Sequence, residues 1–311
     1  MKKLLTGLQP SGALHIGNYL GALKPFVELA GEHESYLMVA DYHALTSLKN
    51  PEELRGNIIN VVKDYVAAGI DPQKSVIFQQ SRVPEHTELA WIFQCLVTVP
   101  FLELSHAYKD KVAKGLEANA GLFAYPMLMA ADILLYDTDI VPVGQDQRQH
   151  VEYAREAAAK FNKAFGETFK EPKEKILENV ATVPGTDGKK MSKSYGNTIP
   201  LFGTKDEVAK AVMSIVTDSA GERPENVYAI HRSFKSQVEL MQLYDANKGS
   251  YKTLKEALIE DIEAVVAPMR SKRDSISDAD AIQIIEEGSA RAREVASKKM
   301  ATARKAVGVT L

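Results

Sequence analysis

The sequence predicts an α/β protein: a doubly wound parallel sheet followed by a helical C-terminal domain. Three observations carry this. Short, continuously apolar runs alternate with helical stretches through the first half, as in strands covered on both faces. One of these helical stretches carries its own start and stop signals between two such runs. Beyond about residue 200 only helical periodicity remains. The domains are expected at 1–195 and 196–311, with the change near 195–203 and the last helix packing back on the first domain.

Lys3-Leu4-Leu5-Thr6 reads as the first strand, Tyr36-Leu37-Met38-Val39-Ala40 as the second, Ser75-Val76-Ile77-Phe78 as the third, and Ile140-Val141-Pro142-Val143 as a later one. A helix should begin near Ile16, with Tyr19, Leu20 and Leu23 on its apolar face. Between the second and third strands, Asn50 is placed to cap a helix with Pro51 and Glu53 in its first turn. Leu54, Ile58, Val61, Val62, Tyr65 and Val66 repeat at helical spacing, and Gly69 can end the helix. The strand–helix–strand unit should be right-handed. In the second half, Thr204 and Glu207 suit a capping box ahead of Val208, Ala211, Val212 and Ile215. A stripe at Leu254, Leu258, Ile262, Val265 and Val266 is expected to stop at Pro268. A long helix should fill most of 279–306.

Composition narrows the function classes. The 311 residues carry 38 Lys+Arg against 41 Asp+Glu, 45% hydrophobic and 25% charged residues, the balance of a globular protein rather than a disordered one. No apolar run is long enough to span a membrane, and the N-terminal residues lack the apolar core of a secretory signal. The single Cys95 excludes an internal disulfide and a cysteine-built zinc site. A cytoplasmic location is expected. Residues 196–311 hold 17 basic and 17 acidic residues, so neither half is basic enough to coat DNA. A local basic cluster, Arg291, Arg293, Lys298, Lys299, Arg304 and Lys305, reads first as a solvated face near a helix C-terminus and only second as a nucleic-acid contact.

Two segments carry chemistry. Thr6-Gly7-Leu8-Gln9-Pro10-Ser11-Gly12-Ala13-Leu14-His15-Ile16-Gly17-Asn18 joins a strand to a helix N-terminus, a natural anion site. It is neither a dinucleotide fingerprint nor a P-loop. His15 and Asn18 could offer hydrogens to phosphate oxygens. Gly188-Lys189-Lys190-Met191-Ser192-Lys193-Ser194-Tyr195-Gly196-Asn197 is cationic and glycine-flanked, and it could swing Lys190 and Lys193 onto a polyphosphate. Each alone is also readable as a capped turn or an exposed basic loop.

Together, a Pro-Ser-Gly-x-x-His-Ile-Gly-Asn segment and a Lys-Met-Ser-Lys-Ser loop about 175 residues later resemble the two signatures of the class I aminoacyl-tRNA synthetases, with Asn18 where the family carries a second histidine. Within that class the chain is most similar to the bacterial tryptophanyl enzymes, in Gly7 to Gly12, Gly17-Asn18-Tyr19, Asp41-Tyr42-His43-Ala44 and, most specifically, the 124–150 run. The resemblance implies a Rossmann-like catalytic domain, Mg2+-ATP and L-tryptophan as substrates, tRNA(Trp) as acceptor and partner, a homodimer, and no protein-bound metal. It implies catalytic roles for His15, Asn18, Lys190 and Lys193. It places Gln9, Pro10, Ser11, Gly17 and Asn18 along the nucleotide, Gly144, Gln145 and Asp146 by the ribose, Val183 by adenine, and Lys190, Met191, Ser192, Lys193 and Ser194 over the phosphates. The later helices would read the tRNA.

The same resemblance gives Asp132 the indole N–H. On residues alone, Asp132 is a carboxylate in an apolar helical stretch, and burial requires a partner, which could be substrate or a basic neighbour. A site built around one donated hydrogen bond rejects analogues that lack it. Gly7, Met129, Ile133, Val141 and Val143 would line the pocket, and His43 and Gln147 would orient the amino acid. His43 is also readable as a core histidine. Alternatives are a tyrosyl enzyme, a nucleotidyltransferase of the same superfamily, and a non-catalytic paralogue that binds tryptophan or RNA.

Overall fold

The computed structural model describes residues 1–143, 148–176, 183–217 and 223–310. Five parallel strands form one sheet in the order β3-β2-β1-β4-β5: β1 (Lys3–Leu8), β2 (Glu34–Val39), β3 (Ser75–Gln79), β4 (Ile140–Val143) and β5 (Lys173–Ile176). β1 pairs with β2 from Lys3↔Glu34 to Leu8↔Val39 and meets β4 at Leu4↔Ile140. The chain therefore builds outward from β1 in one direction, then returns to its other side. The fifth strand is absent from the sequence expectations. Lys173-Glu174-Lys175-Ile176 is mostly charged, because it forms an edge rather than the centre of the sheet.

Period-two alternation divides the apolar residues between two cores. Leu5, Tyr36, Met38, Val76 and Phe78 face one core, which also takes Leu89, Phe93, Met127, Leu134 and Phe161. Leu4, Leu37, Val39 and Ile77 face the other, with Leu23, Phe26, Val61, Tyr65, Val208, Leu258 and Ile262. Both faces are buried, which is why the strand sequences read as unbroken apolar runs.

The helix between β2 and β3 spans Pro51–Ala67, and the Asn50 side chain accepts hydrogen bonds from the Glu52 and Glu53 amides. Gly69 follows at φ +112°, a conformation glycine takes at little cost. Thr204 and Glu207 form the expected reciprocal box on the Lys205–Met213 helix. Pro268 does not end its helix, which runs Tyr251–Asp274. The residues past the proline are tied down: Arg270 chelates Glu263 at 2.8 and 3.1 Å, and Arg273 donates to Asp64 at 2.5 Å. These contacts offset the missing backbone bond.

The terminal helix, Asp278–Val307, crosses the β3 edge of the sheet. Ala281 and Ile285 belong to one core, and Ala292, Ala296, Met300 and Ala303 to the other. The crossing point is Gly288, where a Cβ would stand 1.8 Å from the Ile77 carbonyl oxygen. Beside it, the Ser289 hydroxyl accepts the Gln79 amide hydrogen at 3.2 Å, which satisfies part of an otherwise open strand edge.

Candidate active site

In an open α/β sheet the ligand crevice lies beyond the strand C-termini, where the winding reverses. Here that is the space beyond β1 and β4. Gln9, Pro10 and Ser11 leave β1 directly into it. Tyr65 braces this rim from below, its hydroxyl accepting from the Leu8 amide and donating to the Met38 carbonyl, both at 3.0 Å.

The helix after β1 begins with one α turn, Ile16–Asn18, continues as a π-helical stretch, Tyr19–Leu23, and ends as Lys24–Ala30. His15 caps it. The His15 Nδ1 accepts the Asn18 amide hydrogen at 3.3 Å, and Asn18 Oδ1 accepts the His15 amide hydrogen at 3.1 Å. These two side chains thus hold the turn first, with the hydrogen of the neutral imidazole on Nε2. Burial, followed by the nearby Lys193 charge, pushes the His15 pKa down to about 4.

The basic loop is joined to this turn by the strand-like segment that follows it. The Ile16 amide donates to the Ile199 carbonyl at 2.9 Å, and the Leu201 amide to the Leu14 carbonyl at 3.0 Å. Met191 is buried and would meet a Cβ on Gly17 at 3.4 Å. Lys193 Nζ donates to the carbonyls of Ser11 and Gly12 at 3.2 and 2.9 Å, and burial lowers its pKa. Asn197 organises the loop from inside: its amide donates to Asp187 and to the Lys190 carbonyl, while its oxygen accepts from the Ser192 amide. Ser192 and Ser194 share a hydrogen bond at 2.9 Å, Lys190 is exposed, and Val183 opens the loop with its carbonyl accepting the Met191 amide hydrogen.

Asp132 lies on the Ala120–Leu134 helix and is 1% exposed. Its Oδ2 faces His43 Nε2 at 2.8 Å. Its Oδ1 accepts from Gln80 Nε2 at 2.8 Å and from His86 Nδ1 at 2.5 Å. Burial alone would raise the Asp132 pKa, but the hydrogen bonds from His43 and His86 outweigh it and hold the carboxyl below the usual carboxylate range. Tyr125 stands edge-on to the His43 ring at 6.2 Å.

The family model for tRNA synthetases class I (W and Y) matches residues 1–282. The chain belongs to that family. It is 48% identical to the tryptophan–tRNA ligase of Fusobacterium nucleatum, over 99% of this chain and 98% of that protein. The crystal structure of tryptophanyl-tRNA synthetase from Campylobacter jejuni complexed with ADP and tryptophan superposes with a TM-score of 0.91 at 42% identity, covering 98% of this chain and 99% of that one. The Mycoplasma pneumoniae tryptophanyl-tRNA synthetase gives 0.88 at 31% identity, covering 99% and 98%.

In this class I synthetase the described site residues fall into two groups. The two signature segments touch: Lys193 reaches the Ser11 and Gly12 carbonyls, and Met191 lies against Gly17 on the turn that His15 and Asn18 hold. Asp132 and His43 form the second group. Gly7 lies on β1 opposite Met38, where a Cβ would come within 3.2 Å of the Met38 side chain. Ile133 and Val141 sit in the first core and Met129 packs partly against it, while Val143 is the last residue of β4. Gly144, Gln145, Asp146 and Gln147 lie outside the described residues. Gln80, His86 and Asn197 are absent from the sequence-derived site. Asn197 closes the quoted loop, but its burial and the αL glycine before it are set by the fold. Gln80 and His86 carry no local signal, since they meet Asp132 across 52 and 46 residues.

Proposed function

We infer that this chain acts as a tryptophan–tRNA ligase. It activates L-tryptophan with ATP, forming tryptophanyl-adenylate and pyrophosphate, and then passes the tryptophanyl group to tRNA(Trp) with release of AMP. The observation that carries this reading is the meeting of the two signature segments at the sheet's switch point, with the buried Asp132 paired to His43 just beyond the end of the neighbouring strand β2. The likeness to a structure described as complexed with ADP and tryptophan supports both ligands.

In the first step a tryptophan carboxylate oxygen attacks the α-phosphorus in line, and the bond to the bridging oxygen breaks as pyrophosphate leaves. No covalent bond to the protein is needed, so positioning and charge stabilisation supply the catalysis. Gln9, Pro10, Ser11, Gly17 and Asn18 line the nucleotide, Gly144, Gln145 and Asp146 the ribose, and Val183 the adenine. Lys193, held on two carbonyls, exchanges them for phosphate oxygens, with Lys190 beside it and the loop's serine hydroxyls on the same anion. His15 supports the turn on which the phosphates rest. Mg2+ comes with ATP, on its phosphate oxygens. Asp132 takes the indole N–H, His43 and Gln147 orient the amino acid, and Gly7, Met129, Ile133, Val141 and Val143 bound the ring.

The 196–311 region reads the tRNA, and the active form is a homodimer located in the cytoplasm. The exposed apolar side chains Trp91, Val99, Leu104, Val112 and Leu116, clustered within 26 residues of sequence, support a self-association face. Among the described residues no helix is long and apolar enough to cross a membrane.

Amino-acid-dependent ATP–pyrophosphate exchange with all twenty amino acids tests the reading. Exchange with tryptophan alone is expected. Exchange with tyrosine would overturn the pocket assignment, and none with any amino acid would indicate a non-catalytic paralogue. Asp132→Ala should raise the KM for tryptophan far more than that for ATP; an unchanged tryptophan KM would make the carboxylate a structural group.

A further inference from the structure

We propose that Gln80 and His86 are positioning residues for tryptophan recognition: by occupying Oδ1 of Asp132 they leave Oδ2, with His43, as the oxygen that meets the indole N–H. This deepens the ligase reading and rests on the assignment of Asp132 to the indole.

A carboxylate oxygen has two in-plane lone pairs. Those of Asp132 Oδ1 are used by Gln80 Nε2 at 2.8 Å and His86 Nδ1 at 2.5 Å, whereas among the described residues Oδ2 has His43 Nε2 alone at 2.8 Å. One acceptor direction on Oδ2 is therefore left for a donor. Both donors to Oδ1 are themselves fixed. The Gln80 amide oxygen accepts from the Tyr42 amide at 3.1 Å, so its NH2 end must face Asp132. His86 is fully buried, its Nε2 faces the Tyr136 hydroxyl at 2.8 Å, and its ring stacks on Phe78 at 5.9 Å. Facing an ionised carboxylate, Nδ1 must carry a hydrogen, and the Tyr136 hydroxyl fixes the other side of the ring.

The backbone around His86 is held from the far side. Glu85 accepts from Ser297 at 2.6 Å, and Glu88 chelates Arg304 at 2.7 and 2.5 Å. The helix that carries His86, Glu85–Gln94, is thus clamped between the terminal helix and Asp132. Without these two donors the carboxylate could rotate about its last torsion, and the indole would meet an oxygen that is no longer aimed. The loss should therefore fall on the N–H, not on ring burial or on ATP.

The test compares kcat/KM in ATP–pyrophosphate exchange for L-tryptophan and for 3-benzothienyl-L-alanine, the isostere with sulfur in place of the indole N–H. The variants are Gln80→Met, His86→Leu and His86→Asn, the last keeping a donor near the Nδ1 position. Sites built on such a bond discriminate strongly, so Gln80→Met and His86→Leu should each cut the tryptophan/isostere ratio by about tenfold or more, through the tryptophan KM. The isostere's own kcat/KM and the ATP KM should stay within about threefold, and His86→Asn should recover most of the ratio. An equal fall for both substrates, or an unchanged ratio, would overturn the proposal. If His86→Leu fails to fold, Gln80→Met decides, since it removes a donor at nearly constant volume. Asp132→Ala run alongside separates the two levels: a ratio unchanged in Asp132→Ala refutes the indole assignment itself, whereas a collapsed ratio there with an intact one in Gln80→Met refutes only the positioning role.

Discussion

His15 holds its turn as a neutral ring, because its Nδ1 must accept the Asn18 amide hydrogen and a protonated ring cannot accept. Its ordinary pKa is 6.5 and the folded value about 4. The unfolded chain therefore binds the proton first, so this residue's contribution to stability is whole above 6.5 and falls as pH drops from there toward 4. Titration followed on the His15 ring by NMR should show this low midpoint, and Lys193→Ala should move it upward by removing the neighbouring charge. Burial, the larger cause, would remain. The same substitution tests the loop's role in the reaction. Removing one charge stabiliser of this kind costs about 2–4 kcal/mol of barrier, so Lys193→Ala should slow adenylate formation about 30- to 1000-fold with little change in tryptophan binding. Single-turnover kinetics would read it, and an unchanged rate would reduce the loop to a surface feature.

Elements show where local signals decide and where they yield. The Asn50 and Thr204 caps act within three residues of themselves, so they are readable from spacing. Pro268 breaks a local rule that holds only when nothing beyond the proline is anchored, and Arg270 and Arg273 anchor it. Gly288 reverses a propensity as well. In an exposed helix Gly→Ala gains up to about 1 kcal/mol. Here the added methyl would collide with the β3 backbone at Ile77. Gly288→Ala should instead destabilise by about 1–3 kcal/mol, seen as a lower midpoint in denaturant-induced unfolding. A stabilised protein would mean the helix can step away from the strand edge.

On the scale of the whole molecule, the terminal helix belongs to the sheet's packing. Its apolar face completes both cores, and four of its basic side chains are paired within the chain: Arg293 to Glu85, Arg304 to Glu88, Lys299 to Asp137 and Lys298 to Glu294. Exposed pairs contribute little singly, so burial of Ala292, Ala296, Met300 and Ala303 is the larger part. A chain ending at residue 287 should be unable to fold cooperatively, judged by loss of a thermal transition in circular dichroism. A retained sharp transition would show that the sheet closes its β3 edge by other means.

The sequence by itself determined the strand runs of β1 to β4 and the capped helices, because each rests on contacts a few residues apart or on apolar periodicity, and the family showed through the resemblance of two short segments. Tertiary structure decided the rest. Only the fold brings Ile199 against Ile16 and Lys193 onto the Ser11 and Gly12 carbonyls. Only the fold gives Asp132 its donors from Gln80 and His86, and only the fold recruits a charged segment as a fifth strand at the sheet edge. The physical reason is one of range: hydrogen bonds that satisfy a buried carboxylate or an open strand edge are made by whichever groups the packed chain delivers, and no spacing rule records a partner 46 or 52 residues away.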